Sequence, residues 1–142
     1  MNLNKSIEPV KIKKNKFIDR RGYFQEIYLK KNFNLRIQFT AIAHSKKNVI
    51  RGLHFQKKNK QSKLIYVTSG KILDVAVNLK KNSKNFGKIY KYILKEGDIL
   101  FIPSFYAHGY ECLSSRSTVL YHLEKYRDPK SESGIPFNDK KL

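Results

Sequence analysis

The chain has 142 residues and a mass of 16.7 kDa, which fits one domain and allows roughly 68% of the unfolded surface to be buried. Its 40% hydrophobic and 13% aromatic content excludes wholesale disorder. No apolar run reaches the ~18 residues of a membrane helix, and a lone Cys112 excludes an internal disulfide framework or a cysteine-built zinc site. Met1 to Glu8 lacks the continuous apolar stretch of a secretory signal, so a cytoplasmic domain is expected.

Thirty Lys and Arg against 11 Asp and Glu give a formal charge of +19. Such an excess attracts anions in general. The lysines fall in scattered pairs, as in Lys30-Lys31, Lys46-Lys47 and Lys80-Lys81, and the arginines are confined to Arg20, Arg21, Arg36, Arg51, Arg116 and Arg127. Specific base or phosphate readers lean on Arg, so specific nucleic-acid recognition is not expected. A basic field that concentrates a small anionic substrate needs only a few of these charges.

In chain order, short alternating or apolar segments predict strands at Val10–Lys13, Tyr23–Tyr28, Ile37–Ile42, Val49–Gln56, Lys63–Thr68, Lys71–Leu79, Lys88–Leu94, Ile99–Ile102, Gly109–Leu113 and Thr118–Leu123. Only Leu29–Asn34 invites a short helix. Ser69-Gly70 signals a tight hairpin, and Gly97-Asp98 another turn. Many short strands with almost no helix predict an all-β fold, a sandwich or closed barrel of jelly-roll type, over residues 1–142 as a single domain.

Parity within Lys71–Leu79 puts Leu73, Val75, Val77 and Leu79 on one face and Ile72, Asp74, Ala76 and Asn78 on the other. The first set is the expected packing face. The second, with a carboxylate among small neighbours, reads equally as a polar cavity lining or as a solvent-facing side.

Histidine, arginine, lysine and tyrosine concentrate in Arg51-Gly52-Leu53-His54-Phe55-Gln56, in Gln61-Ser62-Lys63-Leu64 and in Pro103-Ser104-Phe105-Tyr106-Ala107-His108-Gly109. A histidine is suited to proton transfer near neutrality. In a regular strand Arg51 and His54 point to opposite faces, so both enter one pocket only if Gly52 bulges.

Together the Arg-Gly-Leu-His-Phe-Gln and Ala-His-Gly blocks resemble the dTDP-4-dehydrorhamnose 3,5-epimerase family, a group of metal-free cupins. The likeness runs in order from Phe17-Ile18-Asp19-Arg20-Arg21-Gly22-Tyr23-Phe24-Gln25-Glu26, through Lys63-Leu64, Asp74-Val75-Ala76-Val77, Ile102-Pro103, Tyr121, Tyr126 and Glu132, to Asn138-Asp139. The resemblance implies a cupin jelly roll that epimerises a nucleotide-linked 4-keto-6-deoxy sugar at C3, C5 or both, without a cofactor. It implies His54 as general base, Tyr121 as the acid on the opposite face, and Lys63 beside the enolate oxygen. Arg21, Phe24, Glu26, Arg51, Tyr126 and Glu132 match substrate-contacting positions, and His108 and Asp74 a second polar pair. It further implies a homodimer that exchanges an N-terminal strand, with Val10–Lys13 the candidate.

Some positions depart from the pattern. Where the family often carries Gln-x-Asn-x-Ser, this chain reads Phe39-Thr40-Ala41-Ile42-Ala43, and a pocket tyrosine is replaced by Arg127. The family orients its base with an aspartate beyond the position of Leu142; either another carboxylate, such as Asp74 or Glu26, takes that part or the orienting acid is lost. Two alternatives follow: a sugar-nucleotide-binding cupin without turnover, and a metal-dependent cupin built on His44, His54 and His108.

Overall fold

The computed structural model describes residues 6–33 and 35–140. Among them are twelve strands and one short helix: β1 (Val10–Ile12), β2 (Lys16–Asp19), β3 (Gly22–Gln25), α1 (Lys30–Phe33), β4 (Phe39–Lys46), β5 (Ile50–Gln56), β6 (Lys63–Ser69), β7 (Lys71–Asn78), β8 (Ile89–Lys95), β9 (Ile99–Ile102), β10 (Tyr106–Cys112), β11 (Arg116–Leu123) and β12 (Glu132–Gly134). Two five-stranded antiparallel sheets, in the orders β1-β9-β6-β11-β4 and β12-β5-β10-β7-β8, form a jelly roll of the cupin type, and β2 and β3 make a separate hairpin. The predicted all-β jelly roll matches this architecture. No described helix is long and apolar enough to cross a membrane.

Between the sheets the core is Ile65, Val67, Ile72, Ala76, Leu94, Leu100, Ile102, Tyr106, Tyr110 and Val119. A second cluster packs α1 and its flank against the outside of the first sheet: Phe33 and Leu35 meet Leu64, Tyr66, Ile99 and Phe101. Two-residue alternation therefore sorts β6 cleanly, with Ile65 and Val67 facing inward and Leu64 and Tyr66 outward. Lys63 has the inward parity.

In β7 the expectation is half reversed. Ile72, Asp74, Ala76 and Asn78 face inward and are the more buried set, with Asp74 fully enclosed. Val75, Val77 and Leu79 pack on the outer side with Leu53, Phe55, Ala107, Ile89 and Ile135. The apolar face is thus a covered outer face, because the chain beyond β12 folds across it.

The predicted Val10–Lys13 strand forms as β1, and it pairs with β9 of its own chain, Val10 opposite Phe101. The predicted Tyr23–Tyr28 strand shortens to β3. Its partner is β2, and the loop between them is Arg20-Arg21. The helix covers Lys30–Phe33 of the predicted Leu29–Asn34, and Asn34 lies outside the described residues.

Candidate active site

A cavity of about 310 Å³ opens between the two sheets. His54 and Glu132 reach it from β5 and β12 of one sheet, and Lys63 and Tyr121 from β6 and β11 of the other. Phe39, Ala41 and Ala43 of β4 give it an apolar wall, continued by Leu123.

Arg51 and His54 both line this cavity, and a bulge is the reason. Against β10, His54 stands opposite His108 and Arg51 opposite Tyr110, so three steps on β5 span two on its neighbour. Gly52 occupies the bulge with φ of 115°. A Cβ there would lie 2.6 Å from the Gly109 Cα and 2.7 Å from the His108 carbonyl oxygen, so the close approach of the two strands requires glycine. The peptide joining Gly52 to Leu53 is cis. Arg51 is held in turn by β4, donating from Nε to Ser45 Oγ (2.8 Å) and from Nη2 to the His44 carbonyl (2.9 Å).

Behind the cavity sits a buried pair. His108 Nε2 lies 2.7 Å from Asp74 Oδ2, with the two side chains 3% and 0% exposed. A carboxylate removed from water is tolerated only with such a partner. Asp74 therefore belongs to His108 and does not reach His54. The expectation that Asp74 or Glu26 stands beside His54 is corrected: Glu26 is exposed, and the carboxylate near His54 is Glu132, whose Oε1 is 3.5 Å from His54 Nδ1. Arg127 Nε donates to the other oxygen of Glu132, Oε2, at 2.5 Å. The ion pair with Arg127 holds the Glu132 carboxyl below its ordinary range.

Lys63 and Tyr121 carry the largest electrostatic effects at the cavity. Burial pushes the Lys63 ammonium down to about 8, and the charges of Asp74 and Glu132 offset part of that loss. Burial raises the Tyr121 phenol well above 10, and the neighbouring Tyr110 and Asp74 act in the same direction. Tyr121 therefore remains a proton donor at neutral pH. Its ring meets the His108 ring edge to face, 6.3 Å between centroids.

Of the substrate-contacting expectations, Arg51, Glu132 and His108 lie at the cavity. Arg21 and Phe24 sit on the β2–β3 hairpin, exposed and away from it; Arg21 closes its own turn by donating from Nη2 to Asp19 Oδ2 (2.6 Å). Tyr126 lies on the rim, stacked on Phe39 at 6.0 Å, and it is Arg127 that enters the wall. Arg127 thus stands where the resemblance puts a pocket tyrosine, and Gln61 is a cavity residue that the sequence did not single out. Gln61 lines the cavity with a buried Oε1 that has no hydrogen-bond partner, and its only signal was its place in the Gln-Ser-Lys-Leu stretch. His44 bonds Thr118 away from the cavity, and among the described residues no three His, Cys, Asp or Glu side chains gather as metal ligands would.

An imidazole on one sheet thus faces an amine and a phenol on the other across the cavity of a jelly roll. The chain belongs to the dTDP-4-dehydrorhamnose 3,5-epimerase family, whose model matches residues 5–142. The enzyme of that name from Salmonella typhimurium is 38% identical over 135 residues, 89% of this chain and 74% of its own. That from Methanothermobacter thermautotrophicus is 38% identical over 130 residues, 87% and 70% of the two chains. The fold superimposes on the Legionella pneumophila dTDP-6-deoxy-D-glucose-3,5-epimerase in complex with dTDP-4-keto-L-rhamnose, with a TM-score of 0.91 and 32% identity over 97% of this chain and 78% of that one. It matches the Bacillus anthracis epimerase, with TDP and PPi bound, equally well: TM-score 0.91 and 36% identity over 94% and 82% of the chains.

Proposed function

We infer that this protein is a sugar-nucleotide epimerase of the isomerase class, acting on a dTDP-linked 4-keto-6-deoxy sugar in deoxysugar biosynthesis. The observation that carries the mechanism is the placement of His54 on one sheet and of Lys63 and Tyr121 on the sheet facing it. Inversion at carbon needs a base on one side and an acid on the other.

The 4-keto group acidifies the C–H bonds at C3 and C5. His54 takes a proton from one of these carbons, and the electron pair of that bond moves onto the carbonyl oxygen as an enolate. Lys63, below about pH 8, places an ammonium where that charge develops. Tyr121 then delivers its phenolic proton to the opposite face of the carbon and the carbonyl re-forms. Exchange with solvent returns a proton to Tyr121 and removes one from His54. Arg51 supplies positive charge for the diphosphate. His108, held by Asp74, closes the cavity floor.

The assembly is a homodimer in which the β2–β3 hairpin reaches the neighbour, since Val10–Ile12, the strand expected to exchange, pairs with β9 of its own chain. The β2–β3 hairpin supports this reading, because Phe17, Ile18, Tyr23 and Phe24 project from it into solvent. In the dimer it brings Arg21 and Phe24 to the neighbour's cavity, and Glu26 and Tyr126 complete the substrate contacts around its mouth. A cytoplasmic setting fits the buried, unpaired thiol of Cys112.

Turnover is tested by incubating the protein with dTDP-4-keto-6-deoxyglucose and following the sugar ring couplings by proton NMR. Inverted product is expected, falling by about 10²-fold or more in His54→Ala. Binding of the nucleotide sugar by calorimetry with no change in configuration would instead establish a binding protein.

A further inference from the structure

We propose that Ser45 and Tyr110 are positioning residues for Arg51, holding its guanidinium ready for the diphosphate of the substrate. The inference rests on the epimerase reading for what Arg51 binds, while the hold itself is a property of the free protein.

Three strands meet at one hydroxyl. Arg51 on β5 and Tyr110 on β10 stand directly opposite each other in the pairing of those strands, so both side chains leave the same face of the sheet. Both reach β4, at the edge of the facing sheet. There Arg51 Nε donates to Ser45 Oγ at 2.8 Å, and the Tyr110 hydroxyl lies 2.9 Å from the same oxygen. Ser45 and Tyr110 are each 2% exposed, and the Tyr110 ring packs in the core between the sheets. Hydroxyls buried so deeply are costly unless paired. One serine serves both neighbours because its hydroxyl has two lone pairs and a hydrogen. The Arg51 N–H occupies one lone pair, and the rest is left to the phenol.

The consequence falls on Arg51. A long side chain that is free at a cavity loses rotamer freedom when it grips an anion, and that loss weakens binding. Here the ordering is done on folding. The Nε contact to Ser45 and the Nη2 contact to the His44 carbonyl fix the plane of the guanidinium from one side. Two of its five N–H donors are thereby used, and three remain for the paired contacts that a phosphate accepts. Tyr110 in turn keeps Ser45 in the rotamer that faces Arg51.

The test pairs calorimetry with dTDP against NMR titration with thymidine, which lacks the diphosphate. Ser45→Ala should weaken dTDP about 3–10-fold, the ordering cost of one long side chain, and leave thymidine unchanged. Tyr110→Phe keeps the ring and loses only the hydroxyl, and it should act in the same direction by about 2-fold. In turnover both should raise KM and leave kcat unchanged. Neither substitution should weaken dTDP further once Arg51→Ala is present, because nothing is left to position. Circular dichroism confirms folding of each variant. Losses that persist in the Arg51→Ala background, equal losses for dTDP and thymidine, or full dTDP affinity in both Ser45→Ala and Tyr110→Phe would overturn the proposal. If wild type bound dTDP without turnover, the epimerase reading would fall while the same comparison still decided this one. If wild type bound no dTDP, the Arg51 Nε–H resonance would decide the hold. Slow exchange with water that becomes fast in Ser45→Ala supports it, and fast exchange in wild type overturns it.

Discussion

At the scale of single residues, the bulge at Gly52 is what turns two ordinary strand residues into a site. Gly52→Ala adds a Cβ into the Gly109 backbone at a φ of 115°, and strain of this kind costs about 1–3 kcal/mol. The expected result is a Tm lower by roughly 4–8 °C for each kcal/mol lost, together with reduced turnover because Arg51 and His54 no longer share a face. An alanine variant with full stability and activity would contradict the argument. Lys63 gives a pH dependence with a definite sign. Its ammonium, shifted down to about 8 by burial, is present below that pH and lost above it, so turnover should fall as pH rises through 8. Lys63→Arg cannot deprotonate in this range. A rate profile for it should be lower throughout and lack the alkaline fall, whereas an unchanged alkaline fall would assign the limb to another group.

Much of this residue-level account was legible in the sequence. That Arg51 and His54 require a bulge followed from counting strand parity, with a glycine available to make it. The neighbour of His54 was not legible. Glu132 lies in a three-residue strand, Glu-Ser-Gly, with no apolar alternation to announce it, and it reaches His54 only through a cross-strand diagonal. Asp74 was the more visible carboxylate, but only the register between β7 and β10, with Ala76 opposite His108, shows that it belongs to the other histidine.

At the scale of elements, the β2–β3 hairpin stands out. Phe17, Ile18 and Phe24 stay exposed on a two-stranded ribbon, while Tyr23 is tied to Glu96 and Lys16 of its own chain. Their sequence alternates as an ordinary strand does, so their lack of cover could not be read from it. Nor could the covering of the outer face of β7, which depends on Ile135 far along the chain. The dimer reading makes the hairpin accountable. Ile18→Glu with Phe24→Glu should convert the protein from dimer to monomer in light scattering after size exclusion, with the β content of the barrel retained. A wild-type monomer, or a dimer indifferent to both substitutions, would remove the hairpin from the assembly.

At the scale of the whole molecule, the fold sets two sheets facing each other with a cavity of about 310 Å³ between them. The same geometry that encloses an apolar core at one end leaves a cavity at the other. There the inward-facing positions of β4, β5, β6 and β11 carry Ala41, His54, Lys63 and Tyr121 in place of core residues. The net charge of +19 contributes attraction for a nucleotide diphosphate without specifying it. Ala41, Ala43 and Arg127 line the cavity wall. Those positions are the place to look for selectivity between C3 and C5.

The account's central claim, that His54 enolises a 4-keto sugar at carbon, is tested most directly by solvent exchange. The protein is incubated with dTDP-4-keto-6-deoxyglucose in deuterated water and the sugar carbons are followed by NMR, beside His54→Ala. Deuterium entering at C3, C5 or both, and absent in the variant, is the expected result and identifies the carbons that are inverted. Exchange that persists without His54, or no exchange by the wild-type protein while it binds the nucleotide sugar, would contradict it.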